Sequence, residues 1–226
     1  MLEISAKLIE CIRLKEPVSY REAYDAQIAR RNLVESGDAG EAVFLLEHAP
    51  VFTLGRNAAE SNLLTPRDAL AKMGIDVVEV DRGGDITYHG PGQLVAYPVL
   101  NLSLRQLSIK GYLRKLEGVI IDFLTEYGLQ GDRVEGLTGV WVDGAKVAAI
   151  GIGVHRWVTF HGVAINIDPN MEHFELIVPC GIPDKPVTSL KLLLGEAPAM
   201  EDAYNVFEKC FAASFPATPT PSAFSE

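Results

Sequence analysis

The sequence predicts a mixed α/β fold of the α+β type, in which helices pack against a largely antiparallel sheet. Three apolar runs follow one another over 139–168 and are separated by Asp143-Gly144 and by His155-Arg156. Asp-Gly between two apolar runs is typical of a two-residue β-hairpin turn, because both central residues of that turn need positive φ. Other segments carry apolar residues at helical spacing. Hairpins interspersed with helices indicate a sheet that helices cover.

The remaining elements follow from shorter patterns, taken in chain order. Apolar residues recur at helical spacing over 20–34 and 108–127, and a glycine follows each segment, at Gly37 and Gly128. Further strands are predicted over 7–14, 43–46, 51–54 and 94–102, and further helices over 67–73, 189–194 and 200–215. A chain of 226 residues with 48% hydrophobic residues can bury a full core, so residues 1–215 are predicted to form a single domain. The end, 216–226, is rich in Pro, Ser and Thr and is predicted to be a disordered tail.

The composition disfavours several classes of function. The net charge of −10 argues against general binding to nucleic acid or to an anionic membrane, because both need an extended basic surface. No apolar run approaches the length of about 20 residues that a membrane span needs, and the first residues carry no leader pattern, so a cytoplasmic protein is expected. The three cysteines, Cys11, Cys180 and Cys210, are odd in number and widely spaced. They indicate neither a disulfide framework nor a zinc-binding pair.

A glycine-rich segment, residues 82–93 (RGGDITYHGPGQ), separates two apolar runs. Its four glycines and one proline surround the pair Tyr88-His89, a composition that neither a core strand nor a helix favours. Glycine at this density allows positive φ and a close approach of backbone to ligand. We therefore predict a substrate-binding loop, and the alternative is a tight, exposed connection between two strands.

Several catalytic and cofactor motifs are missing. The chain contains neither the phosphate-binding pattern GxxxxGK[ST] nor the dinucleotide pattern GxGxxG after a strand. It also lacks the GxSxG of serine hydrolases and the HExxH of zinc enzymes. The sequence therefore predicts neither a metal site nor a cofactor.

One thiol is a candidate nucleophile. Cys180 lies between Pro179 and Gly181, so a rigid residue precedes it and a permissive one follows it. Such a thiol can act as a nucleophile if a neighbouring group lowers its pKa, and the candidates are His89, His161 and Lys146. The alternatives are structural. Cys180 would then be an inert loop cysteine, Lys146 a solvated residue beside a turn, and His161 a satisfied core or edge histidine.

Five motifs together resemble the octanoyltransferases of lipoate biosynthesis. They are residues 46–56 (LEHAPVFTLGR), the glycine-rich segment 82–93, residues 139–142 (GVWV) with 146–151 (KVAAIG), residues 160–166 (FHGVAIN) and residues 179–181 (PCG). The resemblance covers nearly the whole chain. It implies the catalytic-domain fold of the biotin and lipoate protein ligases, which agrees with the α/β class predicted above.

The resemblance also implies an activity and its residues. The family moves an octanoyl group from acyl carrier protein to a lysine of a lipoyl domain and uses a Cys-Lys dyad, which corresponds here to Cys180 and Lys146. The acceptors are the lipoyl domains of 2-oxoacid dehydrogenases and the glycine cleavage H protein. The implied substrate-binding residues are Arg82, Gly83, Gly84, Asp85, Ile86, Thr87, Tyr88, His89, Ala149, Ile150, Gly151, Gly162, Val163 and Ala164.

Two other functions remain as alternatives. An ATP-dependent lipoate-protein ligase would share the fold and the acceptor, but it needs no cysteine nucleophile. A non-catalytic protein that binds acyl groups or carriers would keep the binding slot and lose the chemistry. The presence of both Cys180 and Lys146 favours the transferase.

Overall fold

The computed structural model describes residues 6–179 and 185–219. The α-helices in this part of the chain are α1 (Tyr20–Ser36), α2 (Arg67–Lys72), α3 (Ile109–Glu126), α4 (Leu190–Leu194) and α5 (Met200–Ser214). The strands are β1 (Ala6–Lys7), β2 (Glu10–Arg13), β3 (Ala42–Leu46), β4 (Val51–Leu54), β5 (Asp76–Glu79), β6 (Ile86–His89), β7 (Gln93–Val99), β8 (Val140–Val142), β9 (Ala145–His155), β10 (Val158–Asn166) and β11 (Thr218–Pro219).

The largest sheet has the order β2-β3-β7-β10-β9-β8. Its neighbours pair antiparallel except β2 and β3, which are parallel. The predicted mixed fold with a largely antiparallel sheet is therefore confirmed. No described helix is long and apolar enough to cross a membrane.

Alternation along the central strands gives this sheet two buried faces. On β3, Val43 and Leu45 join a core with α3 and α5, whereas Phe44 and Leu46 join a second core under α1. Neighbouring side chains on a strand point to opposite faces, so a strand buried on both faces is apolar at every position. The run AVFLL of β3 has that property, and all five residues are buried.

A smaller sheet has the order β5-β4-β6 and packs against α2 and the 3-10 helix Met171–Leu176. Its strand β6 corrects the prediction that residues 82–93 form a loop throughout. Ile86–His89 pair with β4 and are buried. The local sequence Ile-Thr-Tyr has high β propensity, and Ile86 and Tyr88 point together into the apolar core of this sheet.

Both predicted hairpins of 139–168 are present, and the second turn lies one residue later than predicted. Asp143 and Gly144 have φ of 48° and 80°. Arg156 and Trp157 have φ of 45° and 67°, so Trp157 belongs to the turn and not to the strand. Its bulky side chain is 54% exposed, which keeps it clear of the core at a backbone conformation that favours glycine.

The two ends of the described chain meet. Thr218–Pro219 of β11 pair antiparallel with Ala6–Lys7 of β1. These residues belong to the segment 216–226 that we predict to be a tail, and the rest of that segment, 220–226, lies outside the described residues.

A buried ion pair holds the turn after β7. Arg105 Nε lies 2.9 Å from Glu41 Oε1, and both side chains are less than a tenth exposed. Glu41 also accepts a hydrogen bond from the backbone N–H of Asn101. Arg105→Met is expected to lower the free energy of unfolding by about 3–5 kcal/mol, because it leaves a buried carboxylate without its cation. Denaturant unfolding measures this loss.

The control for this prediction is an exposed pair. Arg67 and Glu60 also form a salt bridge, but their side chains are 43% and 66% exposed. Arg67→Met is expected to change the free energy of unfolding by no more than about 1 kcal/mol. If Arg105→Met and Arg67→Met lower the free energy of unfolding equally, burial of the ion pair does not determine its contribution to stability.

Candidate active site

A β-bulge places Lys146 on the face of the sheet that carries the candidate binding residues. Trp141 pairs with Lys146 and Val140 pairs with Ala148, so Val147 is an extra residue on β9. An extra residue reverses the alternation of side chains beyond it. Lys146 consequently lies on the same side as Ala149, three positions later, while Val147 packs in the main core.

The Lys146 side chain is buried and lies against an aromatic ring. Its relative exposure is 7%, and Nζ is 5.0 Å from the centre of the Trp141 ring. A ring face attracts an ammonium group, most strongly where water is excluded. Gly139 provides the space, because a Cβ at that position would lie 2.7 Å from Lys146 Cε. The Lys146 side chain therefore packs between Gly139 and the Trp141 ring.

Beside Lys146 lies a cavity of about 190 Å³, which we call the slot. This is smaller than the roughly 300–1,000 Å³ of common small-molecule pockets, and it suits a slender chain. Thirteen of the fourteen predicted binding residues line it. They are Arg82, Gly83, Gly84, Asp85, Ile86, Thr87, His89, Ala149, Ile150, Gly151, Gly162, Val163 and Ala164.

Tyr88 is the exception. Its neighbours Thr87 and His89 line the cavity, but on β6 the Tyr88 side chain points to the other face, where its ring contacts Phe52 and Phe174. Strand alternation requires this arrangement. A role for Tyr88 in substrate binding therefore has no support from its position.

Two glycines that line the slot leave no room for a side chain. A Cβ at Gly162 would lie 2.2 Å from the carbonyl oxygen of Ala96, and one at Gly151 would lie 2.9 Å from that of Gly83. Both distances are too short for a side chain, so backbone forms the walls here. The glycine-rich segment thus borders the cavity with backbone at Gly83, although part of that segment is a strand.

Arg82 has a structural position within this wall. Its side chain is buried, and Nη2 donates to the carbonyl oxygen of Thr53 at 2.6 Å and to Thr53 Oγ1 at 2.8 Å. Nη1 donates to the carbonyl oxygen of Gly83 at 3.1 Å. These charge-assisted hydrogen bonds fix the start of the glycine-rich segment to β4.

The cavity also contacts residues that sequence reasoning missed. Tyr20 of α1 and Tyr97 of β7 line it together with His161. Tyr20 is the first residue of its helix, and only the tertiary fold brings it to β10. The His161 imidazole is buried and hydrogen-bonded, as expected of a structural histidine. It also borders the slot. Pocket-lining residues on separate elements have no sequence signature.

Three buried histidines form a cluster beside the part of the cavity that Tyr20 and Tyr97 line. His161 Nε2 lies 2.9 Å from Asp81 Oδ1, His89 Nδ1 lies 2.7 Å from Gln93 Oε1, and His48 Nε2 lies 2.7 Å from Tyr97 Oη. Burial lowers the pKa of all three, that of His48 to about 4 and that of His89 well below its usual value. The cluster is therefore neutral at pH 7. The described residues contain no group of His, Cys, Asp and Glu arranged to hold a metal ion.

Cys180 lies outside the described residues, but the chain on either side of its segment is described and lies near Lys146. Pro179 and Val187 border a small cavity together with Lys146. The Lys146 backbone N–H donates to the carbonyl oxygen of Pro186 at 2.8 Å, and its carbonyl oxygen accepts from the N–H of Thr188 at 2.9 Å. The chain that contains Cys180 thus begins and ends beside Lys146.

Comparison with known proteins identifies the class of this domain. The family model of the lipoyl protein ligase A/B catalytic domain matches residues 19–212. A solved bipartite lipoate protein ligase from Thermoplasma acidophilum, studied with its E2 lipoyl domain, superposes with a TM-score of 0.73 over 91% of this chain and 83% of that one, at 16% identity. The fold is therefore that of a lipoate protein ligase catalytic domain.

Closer relatives are octanoyltransferases. That of Chloroflexus aggregans is 47% identical over 82% of this chain and 85% of its own length. That of Solibacter usitatus is 43% identical over 91% of this chain and 92% of its own length. The chain belongs to the octanoyltransferase family of acyltransferases.

Proposed function

We propose that the chain transfers an octanoyl group from octanoyl-acyl carrier protein to a lysine of a lipoyl domain, through a thioester on Cys180. The position of Lys146 carries this proposal. Its buried side chain lines the slot, and its backbone bonds to Pro186 and Thr188, a few residues after Cys180. The 43–47% identity to octanoyltransferases supports the activity.

In the first half of the reaction, Cys180 receives the acyl group. The Cys180 thiolate, paired with the Lys146 ammonium, attacks the carbonyl carbon of the carrier thioester. A new S–C bond forms, the bond to the carrier sulfur breaks, and the Lys146 ammonium protonates the departing thiolate. The positive charge of Lys146 also lowers the pKa of the Cys180 thiol.

In the second half, the lysine amine of the lipoyl domain attacks the thioester on Cys180. A C–N bond forms, the bond to Cys180 sulfur breaks, and Lys146 takes the proton that the amine loses. The cycle closes with Cys180 and Lys146 in their starting states. A thioester is converted into an amide, so the transfer needs no ATP. Backbone N–H groups near the glycine-rich segment are candidates for stabilising the tetrahedral oxyanion.

The proposed partners follow from this reaction. The donor is octanoyl-acyl carrier protein, and the acceptors are lipoyl domains of 2-oxoacid dehydrogenases and the glycine cleavage H protein. Residues 1–215 would act as one catalytic domain, with 216–226 as a tail, in the cytoplasm. No cofactor takes part. The roles of Arg82 to His89, 149–151 and 162–164 would be to hold the acyl chain, and most of these residues line the slot.

A lipoate-protein ligase is the alternative with the same fold. Such an enzyme activates a free acid with ATP, so its chemistry does not depend on Cys180. A non-catalytic carrier-binding protein would need neither Cys180 nor Lys146. The burial of Lys146 against Trp141, inside the slot, favours a catalytic lysine over a solvated edge residue.

One experiment separates these functions. The protein is mixed with octanoyl-acyl carrier protein in the absence of ATP, and its intact mass is recorded. We expect a gain of one octanoyl group, which hydroxylamine removes because it is a thioester, and complete loss of this gain in Cys180→Ala. A mass that stays constant, or a gain that persists in Cys180→Ala, would overturn the proposal.

The other two cysteines supply matched controls. Partial burial of the Cys11 thiol and its hydrogen bond to Glu208 raise the pKa of Cys11 to about 12, and Cys210 is buried in the main core. Neither thiol lies at the slot. Cys11→Ala and Cys210→Ala are expected to acquire the octanoyl group as fully as the unchanged protein.

A further inference from the structure

The slot has two chemically different ends. Lys146 lies at one end, near the start of β9, and His161 pairs with Ile152, six residues further along this strand. At about 3.3 Å per residue, the two backbone positions are about 20 Å apart. Tyr20 and His161 border the slot away from Lys146, and the remaining lining combines glycines and apolar residues with the polar side chains of Arg82, Asp85, Thr87 and His89.

Hydrogen bonds hold this far end together. The Tyr20 hydroxyl lies 3.1 Å from His161 Nδ1, and His161 Nε2 lies 2.9 Å from Asp81 Oδ1. Tyr24 donates to the other oxygen of Asp81 at 3.3 Å. We name Tyr20, His161 and Asp81 the end wall. It joins α1, β10 and the segment after β5.

The backbone of β10 is built to place this imidazole. His161 has φ of 55° within a strand, a conformation that costs free energy for a residue with a side chain. Its N–H donates to Gln27 Oε1 at 2.7 Å, and Gln27 is fully buried. Gln27 thus supplies the hydrogen bond that holds His161 in place.

A second cavity lies on the other side of the end wall. Its volume is about 490 Å³, and Tyr24, Asp81, Arg21 and Arg56 are among the residues that border it. Tyr20 borders both cavities. Empty space therefore continues beyond the end of the slot. The slot ends at the hydrogen-bonded side chains of the end wall.

We infer that the end wall of Tyr20, His161 and Asp81 sets the length of the acyl chain that the slot accepts. This inference rests on the proposed function and names the specificity device of the same slot. An extended eight-carbon chain reaches only about 8–9 Å, since three backbone bonds span about 3.5 Å. Tyr20 and His161, which both border the slot, are the groups that the end of a longer chain would meet.

The chemistry of the end wall explains why it discriminates. An apolar wall can repack around an extra methylene, which limits discrimination. A longer chain could displace Tyr20 or His161 only by breaking the buried hydrogen bond between them, which would leave buried polar groups unsatisfied. A hydrogen-bonded wall is therefore a stiffer limit than a packed one.

The test measures binding of saturated fatty acids from hexanoate to tetradecanoate by calorimetry, in the Cys180→Ala background so that chemistry plays no part. With the end wall intact, affinity is expected to rise up to octanoate and to fall for longer chains. Tyr20→Ala opens the slot to the second cavity. His161→Gly also opens the end wall, because it removes the imidazole, and glycine tolerates the positive φ at this position. It is the replacement variant if Tyr20→Ala does not fold.

In both variants affinity is expected to keep rising beyond octanoate, by about fourfold for each added methylene. Arg21→Ala enlarges the second cavity without removing a hydrogen bond of the end wall and is expected to keep the octanoate preference. The inference is overturned if the opened variants still prefer octanoate. Absence of binding at every length, with the end wall intact, overturns the proposed function as well, which distinguishes the two failures.

Discussion

Lys146→Met is expected to lower the rate of octanoyl transfer by about 10²–10⁴-fold, the usual contribution of a positioned acid-base group. Methionine has a similar length and can occupy the apolar space beside Trp141, so the fold is retained. Without the ammonium, nothing at this position protonates the departing carrier thiolate. The loss should appear in the rate of acyl-enzyme formation, measured by rapid quenching and intact mass.

Two further measurements define the role of Lys146. Alkylation of Cys180 at neutral pH should slow in Lys146→Met, because the proposed lowering of the thiol pKa depends on the ammonium. An unchanged alkylation rate would remove Lys146 from control of the thiol, and an unchanged transfer rate would remove it from the reaction. Octanoate binding should persist, since the walls of the slot remain.

Lys115 is the matched control. Its Nζ also lies over an aromatic ring, 5.7 Å from the centre of Phe215, and it donates to the carbonyl oxygen of Ser214. It does not border the slot. Lys115→Met removes the same charge and the same kind of ring contact, and it is expected to leave the transfer rate unchanged.

Much of the fold follows from local sequence patterns. The Asp143-Gly144 turn and the two long helices have strong signals, because positive φ and helical periodicity depend on residues close in the chain. The strand Ile86–His89 was missed because flanking glycines dominate the pattern around it. Its apolar core comes from β4 and from Phe174, which are distant in sequence.

The motifs predict which residues form the candidate site, but not how the fold arranges them. The bulge at Val147, which places Lys146 and Ala149 on one face, is a matter of strand register and leaves no local signature. The end wall has even less signature in the sequence. It requires the first residue of α1, a carboxylate after β5 and an imidazole at positive φ to meet, and each has an ordinary local explanation.

The neutral histidine cluster has a further consequence, a loss of stability in mild acid. Burial lowers the pKa of His48 from 6.5 to about 4 and holds that of His89 well below its usual value. Below pH 6.5 the unfolded chain therefore binds protons that the folded chain excludes. Each such histidine lowers the free energy of unfolding by about 1.4 kcal/mol per pH unit, so these two together contribute about 3 kcal/mol per unit.

The sign and the window of this effect are both testable. The free energy of unfolding should not depend on these histidines above pH 6.5. It should fall as the pH decreases towards 4, where His48 becomes protonated in the folded protein too. His161, whose pKa burial also lowers, adds to the slope, although its bond to Asp81 opposes the shift. Denaturant unfolding across this range measures the slope directly.

Variants separate the cluster from other acid effects. His48→Gln and His89→Gln should each reduce the slope by about 1.4 kcal/mol per pH unit, whatever they do to the stability at pH 7. Arg105→Met destabilises the fold without removing a histidine, so it should keep the slope of the unchanged protein. If all four proteins lose stability in parallel as the pH falls, the histidine cluster is not the cause.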